Sequence, residues 1–121
     1  MTELQLQILF SQEAALLVQH AQDLGYGVTL GEAWRSPEQA QWNAQHGLGV
    51  AHSLHTEKLA IDLNLFRRDE SSINWIFITD DMGHKELGAW WKGRGTNHCW
   101  GGDFTTRDWN HYSISPDGIH K

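Results

Sequence analysis

From Leu59 to Leu65 the chain alternates: Leu59, Ile61, Leu63 and Leu65 fall on one face of an extended strand, and Ala60, Asp62 and Asn64 fall on the other. A strand of this kind buries its leucine face, so Asp62 is aimed at whatever lies opposite. His55 stands seven positions earlier, in Ser53-Leu54-His55-Thr56-Glu57-Lys58. Full extension would hold His55 and Asp62 roughly 23 Å apart, at about 3.3 Å per residue. The two side chains share a site only if the backbone folds back near Thr56 to Lys58.

A length of 121 residues, with 40% hydrophobic and 20% charged residues, predicts one globular domain spanning 1–121. No apolar run approaches the 18 or so residues needed to cross a bilayer, so no membrane insertion is expected. Met1-Thr2-Glu3-Leu4-Gln5 offers neither a basic n-region nor an apolar h-region. Synthesis in a cytoplasm without a signal peptide is therefore expected. The single cysteine, Cys99, suits a reducing compartment and reads as a small buried hydrophobe. A net charge of −6 argues against a nucleic-acid partner, whose phosphates call for clustered Lys and Arg. Eight histidines beside one cysteine favour nitrogen and oxygen ligation of a metal over a thiolate site. The seven tryptophans are either core filling or the lining of a sugar or peptide groove.

Helices and strands mix without regular alternation, which reads as α+β. Leu4 to Phe10 is a short apolar segment of open type. Ser11 then reads as an N-cap for a helix carrying Ala14, Leu17, Val18, Ala21 and Leu24 on one face, closed by Gly25. Tyr26 to Trp34 reads as a strand with Val28, Leu30 and Trp34 inward. Ser36-Pro37-Glu38 opens a helix that runs to about His46, and Gly47 to Leu54 is loop. Ile73 to Thr79 is β-prone. Asp81 to Lys92 predicts a helix with Leu87, Trp90 and Trp91 partly buried, Gly93 to Phe104 a loop, and Asn110 to Ile114 a last short strand. Trp90 and Trp91 cannot both face one core, which leaves one of them for a groove.

A second chemical cluster is Trp100-Gly101-Gly102-Asp103-Phe104, followed by Asp108-Trp109-Asn110-His111. On a continuous strand Asp108 and His111 would point to opposite faces, so a shared site requires a turn between them. Together, His55, Asp62 and His111 supply two nitrogens and one oxygen, a set that leaves the fourth position of a tetrahedral zinc open for water. Bound zinc lowers the pKa of that water towards about 7 and polarises a carbonyl. A carboxylate outside the ligand set then serves as general base and later as proton donor to the leaving amine, and Asp108 fits that role. Asp103 is an alternative base or a turn-stabilising carboxylate. His52 is an alternative to His55 as ligand or a solvent-facing loop residue. Arg35 on residue type alone is also a partner for Glu32 or Glu38. His98 reads as a rim residue, and His20, His46, His84 and His120 as surface positions.

Ser53-x-His55-x6-Asp62 and Asp108-x-x-His111 resemble the two zinc motifs of the M15 metallopeptidases. These include D-alanyl-D-alanine carboxypeptidases and dipeptidases and the phage L-alanyl-D-glutamate endopeptidases. Trp100-Gly101-Gly102-Asp103-Phe104 resembles the branch of phage endolysins and related virion enzymes. Glu32-Ala33-Trp34-Arg35-Ser36-Pro37-Glu38-Gln39 resembles the family's upstream arginine segment. The resemblance spans Val28 to Ile114. It implies a Hedgehog/DD-peptidase-like fold, a small antiparallel sheet backed by helices. It implies His55, Asp62 and His111 as zinc ligands and Asp108 as catalytic acid/base. It further implies Arg35 near the substrate carbonyl or carboxylate as an oxyanion stabiliser, and Ser53 beside the site as a hydrogen-bonding, substrate-binding residue.

Many members carry glycine where this chain has Lys58; a lysine is tolerable there if φ is negative and its side chain reaches solvent. Asp108 stands where some relatives carry glutamate, which suits the endopeptidase branch. The expected activity is zinc-dependent hydrolysis of a peptidoglycan stem peptide between L-Ala and D-Glu, by a monomer or a component of a virion. It would reach the wall after holin release or from the particle. D-alanyl-D-alanine carboxypeptidase activity is the close alternative. The alternative of another class is a non-catalytic, zinc-stabilised wall-binding or virion module, which has no need of Asp108.

Overall fold

The computed structural model describes residues 1–49 and 53–116. Helix α1 spans Glu3–Asp23 and starts earlier than Ser11. Thr2 Oγ1 accepts the Gln5 N–H at 3.1 Å and Gln5 Oε1 accepts the Thr2 N–H at 2.8 Å, a reciprocal capping box. Ser11 lies inside the helix and donates its hydroxyl to the Ile8 carbonyl. A single hydroxyl cannot compete with that box, because the apolar face begun by Leu6, Leu9 and Phe10 runs on unbroken to Leu17 and Ala21. Ser36, by contrast, caps α2 (Pro37–Gln45) as expected, accepting the Gln39 N–H at 3.0 Å. Helix α3 covers His84–Lys92.

The strands are β1 (Gly27–Leu30), β2 (Ala60–Arg68), β3 (Trp75–Phe77), β4 (His98–Trp100) and β5 (His111–Ile114). They form one antiparallel sheet in the order β1-β2-β5-β4, with β3 also on β2. Strand β1 is an edge and ends at Leu30; Leu30 and Trp34 are largely exposed rather than inward. Strand β4 lies within the stretch expected as loop. Its three residues carry no alternation of their own, and pairing with β5 (Trp100 against Tyr112) makes it a strand.

The leucine face of β2 is buried as its alternation requires. Leu59, Ile61, Leu63 and Leu65 join Phe10, Leu17 and Ala21 of α1, Leu87 and Trp91 of α3, and Tyr112 and Ile114 of β5 in one core. Full burial of each of these large side chains is worth about 1.5–3 kcal/mol. Trp91 is fully buried and donates its indole N–H to the Ser113 carbonyl at 3.0 Å. Trp90 instead stacks on His20 of α1 (centroids 4.3 Å) under the Arg94 guanidinium. Arg94 grips Glu13 of α1 through two hydrogen bonds of 2.7 and 2.8 Å. No helix among the described residues is long and apolar enough to cross a membrane.

Strand β2 is longer than its partners, and this shapes its surface. Along one edge it pairs β1. Along the other it pairs β5 at Ala60 to Asp62 and β3 at Phe66 to Arg68. Between those two pairings the sheet is split, and a notch opens over Leu63 and Asn64.

Candidate active site

His55 is brought back towards Asp62 by a tight 3₁₀ turn, Leu54–Glu57. Ser53 is buried, and its Oγ accepts the His55 N–H at 3.1 Å; the Ser53 carbonyl accepts the N–H of Thr56 at 3.1 Å and its hydroxyl at 2.6 Å. Lys58 then reverses the chain into β2. Its φ of 60° and ψ of 35° are left-handed, not the negative φ that would make a lysine easily tolerable, while its side chain is exposed. A left-handed non-glycine residue costs roughly 1–2 kcal/mol. The return of His55 to the carboxylate depends on that reversal.

Asp62 and His111 are direct partners across the β2–β5 ladder, so strand pairing alone places them on one face. Asp108 precedes β5 in a turn, with the His111 N–H donated to the Asp108 carbonyl at 3.1 Å. That turn brings Asp108 and His111 to one side, which a continuous strand would not.

Two imidazoles converge on one carboxylate oxygen. His55 Nε2 lies 3.3 Å and His111 Nδ1 3.7 Å from Asp62 Oδ1, and the rings stand edge to face with centroids 5.1 Å apart. The donor atoms of the three residues all lie within 4.8 Å of one another. Asp62 Oδ1 is buried and accepts no well-formed hydrogen bond. Such an oxygen, facing two ring nitrogens, fits a cation shared by all three, and the N₂O set suits zinc. Burial alone would raise the Asp62 pKa, but His111 and His55 together outweigh it and hold the carboxyl down at about 2.

Asp108 stands outside this set. Its Oδ2 is 3.9 Å from His111 Nδ1, beyond hydrogen-bond range, and its side chain is half exposed. Partial burial, followed by the negative charge of Asp62, pushes its pKa up; His111, His55 and Arg35 pull the other way. Arg35 pairs with Glu32 at 2.5 Å rather than with Glu38, and its Nε is buried without a partner. The Arg35 backbone N–H is donated to the His55 carbonyl at 3.2 Å, which ties the arginine segment to the 3₁₀ turn. Glu32 also lies 3.7 Å from the outer nitrogen of His55, Nδ1. From sequence, Glu32 stands out only as a partner for Arg35. Its spacing of three from Arg35 was the available signal, but the approach to His55 depends on the turn.

The other candidates lie elsewhere. Asp103 pairs with Lys92 at 2.7 Å, with both side chains partly in solvent. His84 is buried rather than at the surface, with Nδ1 2.9 Å from the Tyr112 hydroxyl. His98 is no rim residue: it packs on Trp91 and bonds Glu13 at 3.0 Å. Cys99 is buried as expected, and His46 stacks on Trp42. His52 and His120 fall outside the described residues. The notch in the sheet, about 250 Å³, adjoins the cluster; Asp108 lies on its wall with Arg107, Asn64, Phe77, Thr79 and Asp80.

No family model matches the chain, and no curated protein matches it. Among solved structures, the Serratia marcescens L-Ala D-Glu endopeptidase ChiX is similar with a TM-score of 0.66 at 14% identity, over 88% of this chain and 77% of that one. At such identity the likeness establishes the architecture: this chain has the α+β, DD-peptidase-like fold, a small antiparallel sheet backed by helices.

Proposed function

We propose that this protein is a zinc-dependent peptidoglycan hydrolase that cuts the stem peptide between L-Ala and D-Glu. The observation that carries this reading is the convergence of His55 Nε2 and His111 Nδ1 on buried Asp62 Oδ1, with Asp108 beside the set and outside it. The fold shared with an L-Ala D-Glu endopeptidase supports the choice of bond.

His55, Asp62 and His111 would hold the metal, with Asp62 ionised throughout the physiological range. Zinc bound there supplies Lewis acidity, acidifying a water molecule and polarising the scissile carbonyl. Asp108 takes a proton from the attacking water and returns it to the amine nitrogen as the peptide bond breaks. Its raised pKa suits a group that must both accept and release a proton. Arg35, whose positive charge acts on Asp108, supplies a guanidinium for the oxyanion that develops on the carbonyl oxygen. Ser53 acts on the site through the His55 backbone. An M15-type phage enzyme, acting as a monomer after holin release or within a virion, fits this reading.

The test is mass spectrometry of defined muropeptides incubated with zinc-loaded protein and with a chelated control. Release of L-Ala-bearing disaccharide in the loaded sample alone is the expected result. Loss of a terminal D-Ala would make the protein a carboxypeptidase. No metal-dependent product from any stem chemotype would leave a non-catalytic wall-binding module.

A further inference from the structure

We propose that the notch between β3 and β5 is a carboxylate-reading subsite and that Arg107 is its specificity-determining residue. This inference rests on the peptidase reading above and extends it to the residue on the leaving side of the cut bond.

The notch exists because β3 and β5 share one edge of β2 without meeting. One wall is Phe77 to Asp80, the other Arg107 to Asn110, and Leu63 and Asn64 lie between them. Asp62 and Asn64 project from the same face of β2, two residues apart, or about 7 Å. The notch therefore begins one substrate residue away from the candidate metal ligands, on the side where Asp108 would hand a proton to the leaving amine.

Its charged groups are few. Asp80 already accepts the Met82 N–H at 2.9 Å and serves the approach to α3. Asp108 is assigned to proton transfer. His84, in the notch wall, is kept neutral near pH 7 chiefly by burial, its pKa lowered to about 4 against the opposing pull of Asp81 and Asp80. Arg107 remains. It is exposed and has no ion-pair partner among the described residues, whereas Arg35, Lys92 and Arg94 all have one. Its backbone position is set by its neighbour, because the Asp108 N–H is held by the Gly101 carbonyl at 2.9 Å. A guanidinium so placed presents a planar fork of donors to an anion beside the scissile bond.

The proposed substrate carries such an anion. A glutamate linked onward through its side chain keeps a free α-carboxylate on the carbon bonded to the scissile nitrogen. Arg107 would bind that group, and a stem peptide with a carboxamide there would lose the charge-assisted pair.

The experiment compares two synthetic stem peptides, identical except for an α-carboxylate or α-carboxamide on the second residue, with zinc-loaded wild type, Arg107→Gln and Arg107→Lys. Binding of the leaving-side peptide in both forms is measured alongside by calorimetry. Wild type is expected to prefer the carboxylate by about 10- to 100-fold in kcat/KM, mostly through KM. Arg107→Gln should bring the two substrates within about twofold with kcat nearly unchanged, and Arg107→Lys should keep part of the preference. Equal use of both substrates by wild type, or an undiminished preference in Arg107→Gln, would overturn the assignment while leaving the peptidase reading intact. Carboxylate-selective, Arg107-dependent binding without cleavage of either peptide would keep the subsite and remove the peptidase. Neither cleavage nor selective binding would remove both.

Discussion

The Gly101 carbonyl accepts the Asp108 N–H at 2.9 Å, and a Cβ on Gly101 would overlap the Asp108 carbonyl oxygen and press on His111 Cβ. The candidate base is thus seated directly on a glycine. Gly101→Ala has no room without moving Asp108, at an overpacking cost of about 1–3 kcal/mol. We expect turnover to fall at least about tenfold while the far-ultraviolet circular dichroism stays native, since positioning errors of this kind penalise rate steeply. Wild-type turnover in a folded Gly101→Ala protein would show that Asp108 need not sit where it does.

Metal binding and proton transfer separate by mutation. Asp108→Asn should retain stoichiometric zinc by elemental analysis and lose about 10²- to 10⁴-fold in kcat. His55→Ala and His111→Ala should lose metal and activity together. Zinc loss in Asp108→Asn would make Asp108 a ligand; full occupancy in His55→Ala would remove His55 from the site.

Chelation should lower the melting temperature of wild type. A ligand at a hundredfold excess over its Kd stabilises by about 2.7 kcal/mol, which for a domain of this size is on the order of 10 °C. Asp62→Asn should show little of that difference, because the oxygen on which both imidazoles converge loses its charge. An unchanged melting temperature on chelation of wild type would argue against a structural contribution from metal.

His84 predicts a pH dependence distinct from the metal's. Burial, the dominant cause, lowers its pKa to about 4 from an ordinary 6.5, despite Asp81 and Asp80. Between those values the unfolded chain takes up a proton that the folded chain refuses. The stabilising contribution is therefore complete above pH 6.5 and lost as the pH falls towards 4, by roughly 3 kcal/mol in all. Denaturant melts of chelated protein should show this slope, and His84→Gln should flatten it.

Lys58 occupies left-handed backbone with its side chain in solvent. Lys58→Gly should stabilise the fold by up to about 1 kcal/mol, the relief of strain partly offset by a more flexible unfolded chain. Lys58→Val should destabilise it. A destabilised Lys58→Gly would mean that the lysine side chain contributes more than its conformation costs.

Patterns that repeat over several residues were readable in advance. The leucine alternation of β2 fixed which way Asp62 points, and Ser36-Pro37 marked the start of α2, because both signals are local. The convergence of His55 on Asp62 was readable only as a demand for a turn; that Lys58 would meet it with positive φ was not, since the cost is borne by a conformation a lysine rarely adopts. Thr2 displaced Ser11 as the cap of α1 because a reciprocal box beats a lone hydroxyl. Strand β4 and the buried places of His84 and His98 were hidden for one reason: each depends on a partner distant in sequence, β5, Tyr112 and Glu13 respectively.

Asp62 and His111 face each other across a two-strand ladder. A slip of one residue between β2 and β5 would send one of the two donors into the core and leave the other facing nothing. Whatever ion binds between them therefore also acts as a gauge of alignment, rewarding one registration of the sheet over its neighbours. Substitutions far from the centre that loosen this ladder should surface first as weakened ion affinity, before any loss of helix or strand is visible.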